Sequence, residues 1–94
     1  MTLPADARPR LAGKARLRFD RRSARHLLLY PERGLVLSPT AAEIVRLCTG
    51  ELTVEGIVDR LAAKYGGVPR ERLEGEVRQF LQALAERGLL TAGP

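Results

Sequence analysis

Apolar and charged residues alternate through Ala15-Arg16-Leu17-Arg18-Phe19-Asp20, the two-residue period of a strand with one face on a core. His26-Leu27-Leu28-Leu29-Tyr30 is more evenly apolar, which predicts a second strand flanked on both sides. Between them runs a charged connection, Arg21-Arg22-Ser23-Ala24-Arg25. Pro31-Glu32-Arg33-Gly34 has the length and composition of a hairpin turn, and Leu35-Val36-Leu37 follows as a third short strand. Three short strands in succession predict an antiparallel meander.

The period then changes to that of a helix. Ser38 offers a capping hydroxyl and Pro39 suits the first helical position. Ala41, Ile44, Val45 and Cys48 recur at helical spacing, and Gly50 stands where a left-handed C-cap belongs. Thr53 can cap a second helix with Val54, Ile57, Val58, Leu61, Ala62 and Tyr65 on its apolar side, stopped by Gly66-Gly67. Pro69 opens a third, with Leu73, Val77, Phe80, Leu81 and Leu84 on one face, and Gly88 ends it. The expected fold is therefore α+β and winged-helix-like: a three-stranded antiparallel meander followed by three helices, in the order βββααα, over one core. Residues 1–14, with two prolines and no periodicity, read as a flexible N-terminal arm, and residues 15–92 as a single domain.

At 94 residues, 45% hydrophobic and 29% charged, the chain suits one soluble globular domain. No apolar run approaches the ~20 residues that cross a bilayer, and the N-terminus has no signal-peptide apolar stretch. A single cysteine fits a reducing compartment, so a cytoplasmic location without membrane contact is expected. Charge is uneven: residues 1–33 carry nine Lys/Arg against three Asp/Glu, whereas residues 34–94 carry seven against eight. A basic half fits an anionic partner, but arginines on strand edges also keep a sheet soluble.

Catalytic and metal chemistry find no constellation. His26 lies in an apolar strand and Cys48 on the apolar side of a helix, where a histidine packs and a thiol is buried and inert. The glycines form no phosphate loop, and the glutamates of the third helix alternate with arginines as on a solvated face. The chain is not expected to be an enzyme or to hold a cofactor or metal. Binding remains. The third strand closes the meander, so its outer edge can accept an extended peptide beside the third helix. Backbone groups of Leu35, Val36 and Leu37 would pair with the guest, and Leu73, Val77 and Phe80 would receive its alternate side chains. The competing assignment is core, toward which Phe80, Leu81 and Leu84 lean while Leu73 and Val77 stand evenly between the two. Each backbone hydrogen bond contributes about 1 kcal/mol and ordering the peptide costs about 2–5 kcal/mol, so the expected affinity is modest and set by side chains.

Leu28-Leu29-Tyr30-Pro31-Glu32, then Leu35-Val36-Leu37-Ser38 leading to Thr40-Ala41-Ala42-Glu43-Ile44, resembles the pyrroloquinoline quinone biosynthesis protein D (PqqD) family. Leu47-Cys48-Thr49-Gly50, Thr53-Val54-Glu55-Gly56-Ile57-Val58, and Phe80-Leu81 with Gly88-Leu89-Leu90 extend the resemblance over about residues 8–90. Two departures stand out: Ser38 where the family has Asn, and Thr49 where Asp is usual, so no role of that carboxylate carries over. The resemblance implies a non-catalytic peptide chaperone built on a RiPP recognition element. Such a domain binds the precursor peptide PqqA by strand addition and presents it to the radical SAM enzyme PqqE, which joins the peptide's Glu and Tyr side chains. It places the peptide on the third strand and third helix, the two elements that carry the candidate residues Leu35, Val36, Leu37, Arg70, Leu73, Val77 and Phe80.

A winged-helix DNA-binding domain shares the element types and net charge. Against it, Glu71, Glu74 and Glu76 sit among the arginines of the third helix, and no aromatic platform suits single strands, so no nucleic-acid partner is expected. A homodimer, through the open strand edge or by hairpin exchange, draws on the same features.

Overall fold

The computed structural model describes residues 3–31 and 33–93. Its elements are β1 (Arg8–Leu11), β2 (Arg16–Asp20), β3 (Arg25–Tyr30), β4 (Arg33–Leu37), α1 (Pro39–Leu47), α2 (Val54–Lys64), α3 (Arg70–Glu86) and β5 (Leu90–Gly93). The fold is α+β, with a strand at each end beyond the predicted βββααα order and with its strands in two sheets.

The meander is one sheet, β2-β3-β4, antiparallel throughout. Register and pleat sort its side chains. Leu17, Leu28 and Leu35 stand opposite one another and face inward, with Leu28 fully buried at the centre. The β2–β3 hairpin is held by Asp20, whose carboxylate accepts from Ser23 Oγ at 2.8 Å and the Arg22 amide at 3.2 Å. These bonds, Ser23 first, keep that carboxyl below the usual range. Ala24 closes the turn at φ 55°, the left-handed region that costs a Cβ-bearing residue about 1–2 kcal/mol. Ala24→Gly removes that cost and adds a smaller entropic one. The variant is expected to gain up to about 1 kcal/mol, read as a higher denaturant midpoint at unchanged slope.

The second sheet joins the chain's ends, β1 to β5, from Arg8 opposite Gly93 to Leu11 opposite Leu90. The expected arm is thus a strand from Arg8 onward. On its other side β1 meets the loop after α1: the Leu11 amide donates to Cys48 O and the Gly50 amide to Pro9 O, both at 3.0 Å. Pro9, which lacks a donor, still serves through its carbonyl and is almost wholly buried. Gly50 turns at φ 85°, the left-handed region that favours glycine.

Helix ends follow the sequence signals. Ser38 Oγ accepts from the Ala41 amide at 3.1 Å, so the serine hydroxyl caps α1. Thr53 caps α2 through the Gly56 amide at 3.0 Å, and Pro69 precedes α3 without a side-chain cap. One core results: Leu28 and Leu37 from the meander, Ala42, Ile44 and Val45 from α1, Ile57, Val58 and Leu61 from α2, Leu73, Val77, Leu81 and Leu84 from α3. Cys48 is part of it. Its Sγ donates to Ile44 O at 3.2 Å, and burial pushes the thiol up to about 12 from an ordinary 9.0. Folding therefore favours the protonated thiol. That stability is fully present below pH 9 and is lost as pH rises toward 12. Replacing Cys48 by Ala should flatten this part of the alkaline decline, and in the native protein thiol labelling at pH 8 should be no faster than unfolding.

Candidate peptide-binding edge and cleft

Among the described residues β4 pairs with β3 alone, so its other edge is open. Register identifies which groups are free. Only two residues separate Tyr30 from Arg33, and a connection that short closes on a hydrogen-bonded pair. Hydrogen-bonded pairs then recur at Leu28–Leu35 and His26–Leu37, while Leu29–Gly34 and Leu27–Val36 are the alternate kind. Gly34 and Val36 accordingly turn their N–H and C=O away from β3. The side chains of Leu35 and Leu37 point to the core, half-buried and 5% exposed, whereas Val36 is 54% exposed on the opposite face.

β4 runs directly into Ser38, and there an open cleft of about 320 Å³ begins. Ser38, Thr40, Ala41 and Ile44 line it from the start of α1, and Glu76 and Phe80 from α3. Its lining is mixed: Ala41, Ile44 and Phe80 are apolar, while Ser38, Thr40 and Glu76 bring two hydroxyls and one carboxylate. Glu76 also faces Arg72, one turn back, at 3.6 Å, a solvent-exposed pair of little energetic weight. Glu43 on α1 accepts from Lys64 Nζ of α2 at 2.7 Å, tying the cleft's α1 wall to the helix behind it. That bond holds the Glu43 carboxyl below its ordinary range.

The structure separates the residues that the sequence grouped. Leu35, Val36 and Leu37 form the edge strand, and Phe80, half-buried, faces the cleft. Leu73 and Val77, expected to receive guest side chains, are 3% and 0% exposed in the core, beneath the cleft rather than lining it. Helical spacing puts Leu73, Val77, Leu81 and Leu84 on one buried face, and Phe80 on its flank. Arg70 bonds Asp59 of α2 at 2.7 Å and is not part of the cleft wall. The sequence missed Ser38, Thr40, Ala41, Ile44 and Glu76 as lining residues. Ser38 had a sufficient role as a cap, Ala41 and Ile44 as core, and Glu76 as one of several solvated charges.

The remaining chemical groups are dispersed. His26 leans on Phe19 across the hairpin, ring centres 5.0 Å apart, and Cys48 bonds its own helix. Among the described residues no three His, Cys, Asp or Glu side chains gather as metal ligands, and no helix is long and apolar enough to cross a membrane. Thr49 Oγ1 accepts from the Glu51 amide at 3.3 Å, doing at this turn what an aspartate side chain also does.

The family model for coenzyme PQQ synthesis protein D (PqqD) matches residues 25–90. The PqqA binding protein of Rhodopseudomonas palustris strain BisB5 is 41% identical over 91 residues, covering 97% of this chain and 88% of the relative. That of Methylococcus capsulatus strain Bath is 33% identical, covering 94% and 91%. The solution structure of the PqqD part of Methylobacterium extorquens PqqCD, described as a functional, stand-alone RiPP recognition element, superposes with a TM-score of 0.78. It is 32% identical, with 95% of this chain and 94% of that one covered. TbiB1, solved in complex with the TbiA(beta) leader peptide, superposes with a TM-score of 0.74 at 25% identity, covering 90% and 98%. Family model, full-length relatives and shared fold agree: the chain belongs to the PqqD family.

Proposed function

We propose that this domain is a non-catalytic, cytoplasmic chaperone of pyrroloquinoline quinone biosynthesis that binds the precursor peptide PqqA as an added strand on β4 and presents it to the radical SAM enzyme PqqE. The observation that carries the reading is the open β4 edge running into the α1–α3 cleft. A guest strand pairs with the free groups of Gly34 and Val36, beside Leu35 and Leu37. Its next side chain then enters the cleft against Phe80 and Ile44. Leu73 and Val77 act from below, fixing the position of α3, and Arg70 acts only at the helix start, through Asp59. Relatives named for PqqA binding, and a fold neighbour solved with a leader peptide, support a peptide as the guest.

Calorimetric titration with synthetic PqqA tests this. We expect a one-to-one complex of micromolar affinity with a negative heat-capacity change from burial of Ala41, Ile44 and Phe80 in the cleft. Random duplex DNA should give no comparable heat. Tight, steeply salt-dependent duplex binding with no response to the peptide would reverse the assignment. Self-association through the same edge is read by sedimentation: peptide should dissociate any edge-paired dimer.

A further inference from the structure

The two faces of the meander differ. Leu17 and Leu35 flank buried Leu28 on the inner face and pack on the core. On the outer face, the cross-strand rows read Arg18–Leu27–Val36 and Arg16–Leu29–Gly34. Leu27, Leu29 and Val36 belong neither to the core nor to the residues packed against it. Leu27 and Leu29 are half-buried on this face and Val36 is exposed, and a Cβ at Gly34 would lie 3.3 Å from Leu29 Cδ2. The arginines of the β2 rim, Arg16 and Arg18, are exposed, as is Arg25 at the end of β3, and none forms an ion pair among the described residues. The acidic group in this corner, Asp20, is engaged by Ser23 and the Arg22 amide. The outer face is thus a short apolar stripe bordered on one side by unpaired guanidinium groups.

We infer that this outer face, Leu27, Leu29 and Val36 rimmed by Arg16, Arg18 and Arg25, is a second docking surface, for a protein partner whose contact patch is apolar at its centre and carboxylate-bordered. Charge complementarity selects that occupant. A second copy of the chain would bring arginine rims of like sign into the same interface, and a phosphate backbone gains nothing from the leucine and valine stripe. Position adds a consequence. A strand added to β4 extends both rows by one residue, so alternate guest side chains lie on this same face, next to Val36. A partner seated there touches domain and guest together. The inference rests on the peptide-binding reading above, and within it the partner is the enzyme that modifies the guest.

Arg16 and Arg18 lie on β2, two strands and about 10 Å from β4, beyond or near the screening length at physiological salt. Charge reversal on the rim should therefore separate the two bindings. The experiment measures affinity of Arg16→Glu/Arg18→Glu, Leu27→Ser and the native chain for purified PqqE, for synthetic PqqA and for duplex DNA, with circular dichroism as the folding control. We expect the double reversal to weaken enzyme binding at least 20-fold and Leu27→Ser at least five-fold, while both keep peptide affinity within two-fold. Unchanged enzyme binding in the double variant overturns the inference. So does equal loss of enzyme and peptide, absence of enzyme binding by a native chain that binds peptide, or a loss confined to duplex DNA. A native chain that binds the enzyme through this rim but no peptide overturns the functional reading instead.

Discussion

Val36→Pro should fold and fail to bind the peptide. The β4 register turns the Val36 amide outward, away from Leu27, so proline removes no bond from the β3–β4 ladder. Proline is tolerated on such an edge for that reason. A guest strand would lose a donor there, leaving one of its carbonyls unmatched, and would meet the ring where it needs to approach. One lost bond with an unsatisfied partner costs about 1–3 kcal/mol, which is roughly five-fold to 150-fold in Kd. The control is Val36→Thr, which keeps the amide and the branched shape and should bind within a few-fold of the native chain. Calorimetry with PqqA, alongside a thermal midpoint for each variant, reads both quantities. A folded Val36→Pro variant of native affinity would place the guest elsewhere than on β4.

The second large effect is on folding, and it divides α3 into two roles. Val77→Asp puts a carboxylate at a position with no solvent exposure, within the hydrophobic core. An unpaired buried charge costs several kcal/mol, against a total stability of about 5–15 kcal/mol for a domain of this kind. The variant is expected to be unfolded or nearly so at 25 °C by circular dichroism. Phe80→Ala, one turn on and facing the cleft, removes a half-buried ring. It should cost about 1–2 kcal/mol of stability, less than the 3–5 kcal/mol of a fully buried aromatic, while weakening peptide binding about ten-fold. A stable Val77→Asp domain with impaired peptide binding would restore Val77 to the groove and remove it from the core.

That division shows what the sequence carried and what it could not. The meander and three helices are written in local signals: alternation in residues 15–20, caps at Ser38 and Thr53, glycines at 50 and 88 with the positive φ those turns need. β1 and β5 are not. Each has four residues, one contains Pro9, and they exist because chain ends about eighty residues apart meet and pair. No local period reports a contact of that separation. The open edge was legible because a last strand in a meander lacks a second neighbour. The lining of the α1–α3 cleft was not, since Leu73, Val77 and Phe80 share one helical stripe in sequence. Packing of α2 and β5 on α3 decides which part of that stripe is covered, and it covers the centre and leaves the flank.

Strand addition at β4 is tested most directly by nuclear magnetic resonance on isotope-labelled domain with unlabelled PqqA. The account predicts amide shifts concentrated in residues 33–44 and around Glu76 and Phe80, with cross-strand contacts from the peptide backbone to Gly34 and Val36. Shifts centred instead on β1, β5 or the start of α3, with β4 unmoved at saturating peptide, would contradict it.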